Sequence, residues 1–195
     1  MAEKCVGEIK KAGLIGVIYE VRIRLEPLVK AIQEGALEPD DFQKVADFGA
    51  GYGNSARAIM IAMPGADITA LEQNEELAEV IIKRGILPEE RVKRGDGIDF
   101  LSESRNARKF TLVTAFGLEP IKDSSLFKKF VIAADNALRD KGKLLIESDA
   151  KSMGVVRSEL RKASVNAYSR DVGLGGMVVL TRDECDKVAS YYNSI

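Results

Sequence analysis

The sequence contains no histidine. That removes the commonest general base and metal ligand, and with it Ser-His-Asp and Cys-His nucleophilic arrangements. Cysteine is scarce too. Cys5 and Cys185 stand at opposite ends of the chain with no CxxC spacing, which suggests neither a zinc cluster nor a disulfide framework and fits a reducing cytoplasm. No charge of one sign dominates: 29 Lys and Arg stand against 30 Asp and Glu, a net charge of -1, so no global field favours a polyanion or an acidic membrane. Long apolar runs are also missing. The longest near the N-terminus, Ala12 to Tyr19, falls short of the ~20 residues that span a bilayer and follows a mixed-charge start, so neither an anchor nor a signal peptide is expected.

What is present is the composition of one globular domain with a sizeable core: 195 residues, 46% hydrophobic and 30% charged. Residues 1–40 read as a helical cap and 43–180 as the core of that single domain. In the cap, Leu14, Ile18, Val21, Leu25, Leu28 and Ile32 alternate steps of four and three along one helical stripe. Pro27 interrupts it, so the expectation is one helix ending near Leu25 and a second from Pro27 to Glu34, closed by Gly35. Under three heptads with an internal proline do not make a coiled coil.

After Glu38-Pro39-Asp40-Asp41 the pattern changes to short apolar runs alternating with amphipathic helices. The runs are Val45 to Phe48, Asp67 to Leu71, Arg91 to Lys93, Phe110 to Ala115 and Lys143 to Glu147. Helices are expected over Ser55 to Met63, over Glu75 to Arg84 with Asn74 as N-cap, and over Ser124 to Arg139, where Leu126, Phe127, Phe130, Val131, Ala134 and Leu138 share a face. Strands joined by crossover helices imply a parallel sheet covered on both faces. The tail departs from the repeat. A helix from about Ser152 to Ala163 is followed by Val165 to Tyr168 and Gly176 to Leu180, too closely spaced for a crossover and therefore antiparallel.

In such sheets ligands bind beyond the carboxyl ends of the strands. The first such turn is Asp47-Phe48-Gly49-Ala50-Gly51-Tyr52-Gly53-Asn54-Ser55, whose alternating glycines let the backbone turn tightly and approach a ligand. The second run ends in Glu72, a carboxylate able to accept from both hydroxyls of a ribose. The third ends in Gly95-Asp96-Gly97, where Asp96 suits an exocyclic adenine amine or a tight Asp-Gly turn.

Through Val45 to Ser55, Glu72, Gly95-Asp96-Gly97 and the antiparallel tail, the chain from about Gln43 to Leu180 resembles the class I S-adenosylmethionine-dependent methyltransferases. That resemblance implies a three-layer αβα sandwich on a seven-stranded, mostly parallel sheet in the order 3-2-1-4-5-7-6 with strand seven antiparallel, beneath an N-terminal helical lid. It also implies S-adenosyl-L-methionine as cofactor. Asp47 and the backbone of Gly49, Ala50, Gly51 and Gly53 would hold its amino acid portion, Glu72 the ribose, and Asp96 and Gly97 the adenine, with Gln73 also among the cofactor-binding residues. Ala115 and Phe116 would line the methyl-donor side. The rival is a nicotinamide or flavin dinucleotide domain, whose GxGxxG or GxGxxA fingerprint meets Asn54 at its third site.

A sulfonium methyl is already activated, so its transfer asks the protein mainly to align a nucleophile and exclude water. Glu119, Asp149 and Tyr52 are the candidate bases on turns at the ligand end. The run Phe116-Gly117-Leu118-Glu119-Pro120 lacks the (Asp/Asn/Ser)-Pro-Pro-(Tyr/Phe) signature of amino-methylating nucleic-acid enzymes and the Pro-Cys of cytosine C5 enzymes. Phe116 and Ser148-Asp149 stand where the catechol-type, metal-dependent members place Asp and Asp-Asn, so no metal is expected. A small or medium acceptor with an O or N nucleophile is the first expectation, and RNA the second, through Arg157, Arg161 and Lys162 or Arg105, Arg108 and Lys109. A non-catalytic cofactor-binding domain and a homodimer formed through the N-terminal stripe are the readings outside enzymology.

Overall fold

A computed structural model describes residues 2–117, 123–172 and 175–194, with side chains from residue 16 onward. A long helix α1 (Ala2–Gln33) and a 3-10 turn (Pro39–Phe42) lead into β1 (Val45–Phe48) and α2 (Asn54–Ala62). Then follow β2 (Ile68–Glu72), α3 (Glu75–Lys83), β3 (Val92–Arg94), α4 (Gly97–Ser102), β4 (Phe110–Phe116), α5 (Ser124–Ala137) and β5 (Leu138–Asp149). The chain continues through α6 (Ala150–Lys162), β6 (Tyr168–Val172), β7 (Gly175–Thr181) and α7 (Arg182–Asn193). The strands form one sheet in the order β3-β2-β1-β4-β5-β7-β6. β1 to β5 run parallel, and β7 is antiparallel to both neighbours.

Alternation along the strands divides the core in two. Ala46, Leu71, Val113, Ala115, Leu144, Ile146, Val178 and Leu180 face one cluster, which α4 to α7 cover through Leu101, Phe127, Val156 and Val188. Val45, Ala70, Leu112, Phe116, Leu145 and Val179 face the other, covered by α1 to α3 through Leu28, Ile59 and Ile81. Asp47, Glu72 and Glu147 share the parity of this second set, so period-2 geometry directs all three carboxylates to the face beneath α1 to α3.

Several boundaries differ from the sequence expectation. α1 does not break at Pro27 but runs on to Gln33, where Gly35 at φ 73° closes it. Val21 and Leu28, buried on either side of the proline, contribute roughly 1.5 to 3 kcal/mol each, comparable to the ~3 kcal/mol that an internal proline costs. The helix expected to reach Arg139 stops at Ala137, because Leu138 is extended and pairs with Phe110 of β4. The sixth strand occupies Tyr168–Val172 rather than Val165 to Tyr168, and Val165 packs into the core ahead of it. Two helices, α4 and α7, were not expected at all. The N-terminal stripe turns inward at Val21, while Ile18 stays exposed and the side chain of Leu14 lies outside the described residues. Cys185 is buried in the core, and that burial pushes its thiol well above the ordinary range.

Candidate cofactor and acceptor site

The turn after β1 holds Gly49, Gly51 and Gly53 at φ 68°, 55° and 78°, a left-handed backbone that other residues adopt only with strain. Four of its amides are spent inside the protein. Gly49 N and Ala50 N donate to Leu71 O at 2.9 and 3.2 Å, Gly53 N donates to Ala50 O at 2.8 Å, and Gly51 N donates to Glu72 Oε2 at 2.6 Å. A dinucleotide turn presents such donors to a pyrophosphate, and here these four are already engaged. Gly53 also does the close packing that the dinucleotide fingerprint assigns one residue later. A Cβ there would lie 2.8 Å from Ile86 Cδ1 and 3.3 Å from Ile81 Cγ1. Beside it, the buried Asn54 Oδ1 at the start of α2 has no hydrogen-bond partner among the described residues.

Two carboxylates organise this turn. Asp47 is fully buried and accepts from Ser55 Oγ at 2.5 Å and Thr114 Oγ1 at 3.0 Å, tying α2 and β4 to β1. Burial raises its pKa to about 6 against the opposing pull of the two hydroxyls and Arg24, and the charge of Glu72 adds to the rise. Asp47 therefore lies beneath the turn rather than on its surface. Glu72 spans the turn from below: Oε2 holds Gly51 N while Oε1 accepts from Asn74 N at 2.8 Å, and each oxygen retains a second lone pair. Gln73, next to it, is exposed.

Asp96 is exposed and caps α4, its Oδ1 accepting from Ile98 N at 2.7 Å, so the Asp-Gly turn and an adenine contact through the remaining oxygen are compatible. Gly97 is required by packing. A Cβ would come within 2.6 Å of the Phe48 ring. Ala115 and Phe116 are buried at the end of β4, one on each face, with the exposed Gly117 following. The pairings Phe48 with Leu71, Phe48 with Ala115 and Glu72 with Arg94 bring the glycine turn, Glu72, Asp96 and Gly117 to one end of the sheet.

Of the candidate bases, Glu119 lies outside the described residues. Asp149 is the N-cap of α6: Oδ1 accepts from Lys151 N and Ser152 N, and Oδ2 from Ser152 Oγ at 2.8 Å. Tyr52 is 53% exposed, with the Arg84 guanidinium 5.9 Å from its ring centroid. Sequence reasoning missed Glu147. It ends the same apolar run as Leu145, two residues before it and on the same face, and a charge closing a core strand was the available signal. Its Oε2 accepts from Gly117 N at 3.2 Å. Burial raises its pKa, with Asp149 and Glu20 adding and with the Gly117 amide and Arg24 opposing.

α1 reaches over this end of the sheet. Val17, Val21 and Leu25 lie along a groove with Met60 and Ile61 of α2, and Arg24, held by Glu20 at 2.5 Å, comes within 3.5 Å of where a Gly117 Cβ would stand. Between α1 and the end of β5 opens a cleft of about 550 Å³, lined by Tyr19, Arg22, Ile23, Glu26, Glu147 and Asp149. Among the described residues no group of three or more Cys, Asp or Glu is placed to hold a metal, and no helix is long and apolar enough to cross a membrane.

No family model and no curated protein matches the sequence. Solved structures do match. A predicted O-methyltransferase, Atu636 from Agrobacterium tumefaciens, aligns at TM-score 0.52 with 17% identity over 73% of this chain and 74% of that one. The precorrin-6y C5,15-methyltransferase of Geobacter metallireducens aligns at TM-score 0.51 with 15% identity over 83% and 86%. This chain has the class I methyltransferase fold. The mitomycin 7-O-methyltransferase MmcR aligns at TM-score 0.55 with 18% identity over 80% of this chain, which spans about half of MmcR at 52%. Identities this low carry the architecture, including the order β3-β2-β1-β4-β5-β7-β6 with β7 antiparallel.

Proposed function

We propose that the chain is an S-adenosylmethionine-dependent methyltransferase that methylates an O or N nucleophile of a small or medium-sized acceptor. The observation that carries the cofactor is the pairing of spent amides with buried carboxylates at the glycine turn. A turn that engages the amides of Gly49, Ala50, Gly51 and Gly53 internally and places Asp47 and Glu72 beneath it suits a cationic amino acid head and ribose hydroxyls better than a pyrophosphate. Asp47 supports this through its field, since a buried carboxylate partnered only by hydroxyls is better tolerated beside a positive charge. Glu72 would accept from the ribose with the lone pairs that Gly51 and Asn74 leave, Gln73 would flank it, and Asp96 with Gly97 would border the adenine.

The bound cofactor would supply an activated sulfonium methyl. The chain's part is to align the acceptor and exclude water, with α1 closing the cleft over Gly117 and the end of β5. α1 would thus be a cover and also part of the core, because Leu28 and Ala31 are buried. Within one domain, residues 1–40 would form the cap and 43–180 the cofactor-binding core.

RNA is less well supported. Arg157 donates to Ser169 and pairs with Asp171 at 2.7 Å, Lys162 pairs with Glu159 at 2.7 Å, and Arg105 pairs with Glu103 at 2.5 Å, so these cations are already engaged within the fold. Release of S-adenosylhomocysteine on mixing the protein with S-adenosylmethionine and a panel of small hydroxyl and amine acceptors tests the activity. Cofactor binding without turnover across the panel would favour the non-catalytic reading instead.

A further inference from the structure

The lining of the acceptor cleft carries an imbalance of charge. Glu26, Glu147 and Asp149 face it against the single guanidinium of Arg22, while Tyr19 and Ile23 supply an apolar wall. The three carboxylates are not equivalent. Asp149 has both oxygens engaged at the first turn of α6, and Glu26 is exposed on α1. Glu147 is half-buried at the base of the cleft, and among the described residues only Oε2 takes a hydrogen bond, leaving Oε1 without one. The charged groups facing it are Arg24 and Glu20 of α1 and Asp149 at the end of its own strand. Arg24 is already paired with Glu20 at 2.5 Å.

Resting on the methyl-transfer reading above, we propose that the cleft selects acceptors bearing a basic amine, and that Glu147 binds the protonated nitrogen, with Glu26 reinforcing the preference from α1. A carboxylate kept out of water gains most from an opposite charge that arrives with its own N–H donors, because the contact is both ionic and hydrogen-bonded. A carboxylate or phosphate ester entering the same space would meet three acidic groups and one arginine. Arg22 is itself exposed, which weakens its attraction through solvent screening. A neutral hydroxyl compound would be indifferent to this charge pattern. The preference therefore separates the three acceptor classes by head group alone.

The test uses the full chain saturated with S-adenosylhomocysteine and three probes of nearly one shape, 2-phenylethylamine, 2-phenylethanol and phenylacetate, titrated calorimetrically at neutral pH. The amine should bind about tenfold or more tightly than phenylacetate, with the alcohol between them. Glu147→Gln should reduce the amine's advantage to about threefold or less, and Glu26→Gln, on an exposed position that leaves the Gly117 contact intact, should reduce it by a smaller factor. Equal or tighter binding of phenylacetate, binding of none of the three at millimolar concentration, or an undiminished preference in both variants would overturn the proposal. The cofactor reading fails separately. If S-adenosylhomocysteine does not bind, that reading is lost, and the same three titrations on the unliganded protein decide the amine preference by the same ratio.

Discussion

The two halves of the site are built differently. On the β1 and β2 side the glycine turn is held by the protein's own groups: Gly49, Ala50, Gly51 and Gly53 all donate internally, and Glu72 and Asp47 are bonded into the scaffold beneath them. On the β5 and α1 side the surface is a cleft walled by side chains, where Glu147 keeps an oxygen without a hydrogen bond among the described residues and Tyr19, Arg22 and Glu26 project from a helix. The first half is preorganised and tolerates little change. The second is free to vary by residue replacement, which is where specificity in a shared fold resides.

The sharpest way to break the rigid half is Gly53→Val. The added side chain meets Ile86 and Ile81 at a residue held at φ 78°, so overpacking and a left-handed β-branched residue act together. We expect a loss of about 3 to 5 kcal/mol in urea-measured stability, with cofactor binding abolished. A loss under about 1 kcal/mol would mean that the turn relaxes freely.

Asp47 predicts a pH signature. In the folded chain it titrates at about 6 against an ordinary value of 3.8, so between those values the native state binds more protons than the unfolded state. Stability from this group is therefore greatest below its unfolded pKa and declines as pH rises, the decline being complete above about 6. Asp47→Asn removes that decline. Relative to the parent chain, its stability should rise by about 2 to 3 kcal/mol between pH 4 and pH 7. Parallel unfolding midpoints across that range would show that the carboxylate is not buried as described.

Glu72→Ala removes the acceptor for both Gly51 N and Asn74 N as well as the proposed ribose contact. Affinity for S-adenosylhomocysteine should fall by about 2 kcal/mol in a calorimetric titration, with Glu72→Gln intermediate because one acceptor oxygen survives. Unchanged affinity in a folded Glu72→Ala chain would place the ribose elsewhere. Tyr52 gives the smallest effect. Exposed, with the Arg84 guanidinium 5.9 Å from its ring centroid, it should change stability by under ~0.5 kcal/mol when replaced by alanine, although it sits inside the glycine turn.

The same contrast governs what was legible in the sequence. The glycine turn, Glu72 and the Asn74 cap could be read because each is a local constraint written in residue type at fixed spacing: a left-handed φ, a strand end, a helix start. The sheet order followed from a family resemblance, and the crossover pattern gave the parallel core. Failures came where distant contacts decide. Pro27 stays helical because Val21 and Leu28 are buried on both sides of it, and Leu138 leaves the helix because it pairs with Phe110. α4 is six residues long, too short to show a period. α7 had readable signals in the Thr181 to Glu184 capping box and in the stripe of Cys185, Val188, Ala189 and Tyr192. Asp149 reads in the sequence as a turn acid at the ligand end, and its capping bonds become visible only with α6 beginning at Ala150 rather than Ser152.

We propose that a glycine turn with four amides engaged and carboxylates beneath it receives a sulfonium nucleoside and not a dinucleotide. Calorimetric titration of the full chain with S-adenosylhomocysteine and, separately, with NAD tests this most directly. One-site binding of S-adenosylhomocysteine with no measurable heat from NAD is the expected result; tight NAD binding in the absence of S-adenosylhomocysteine binding would overturn the assignment.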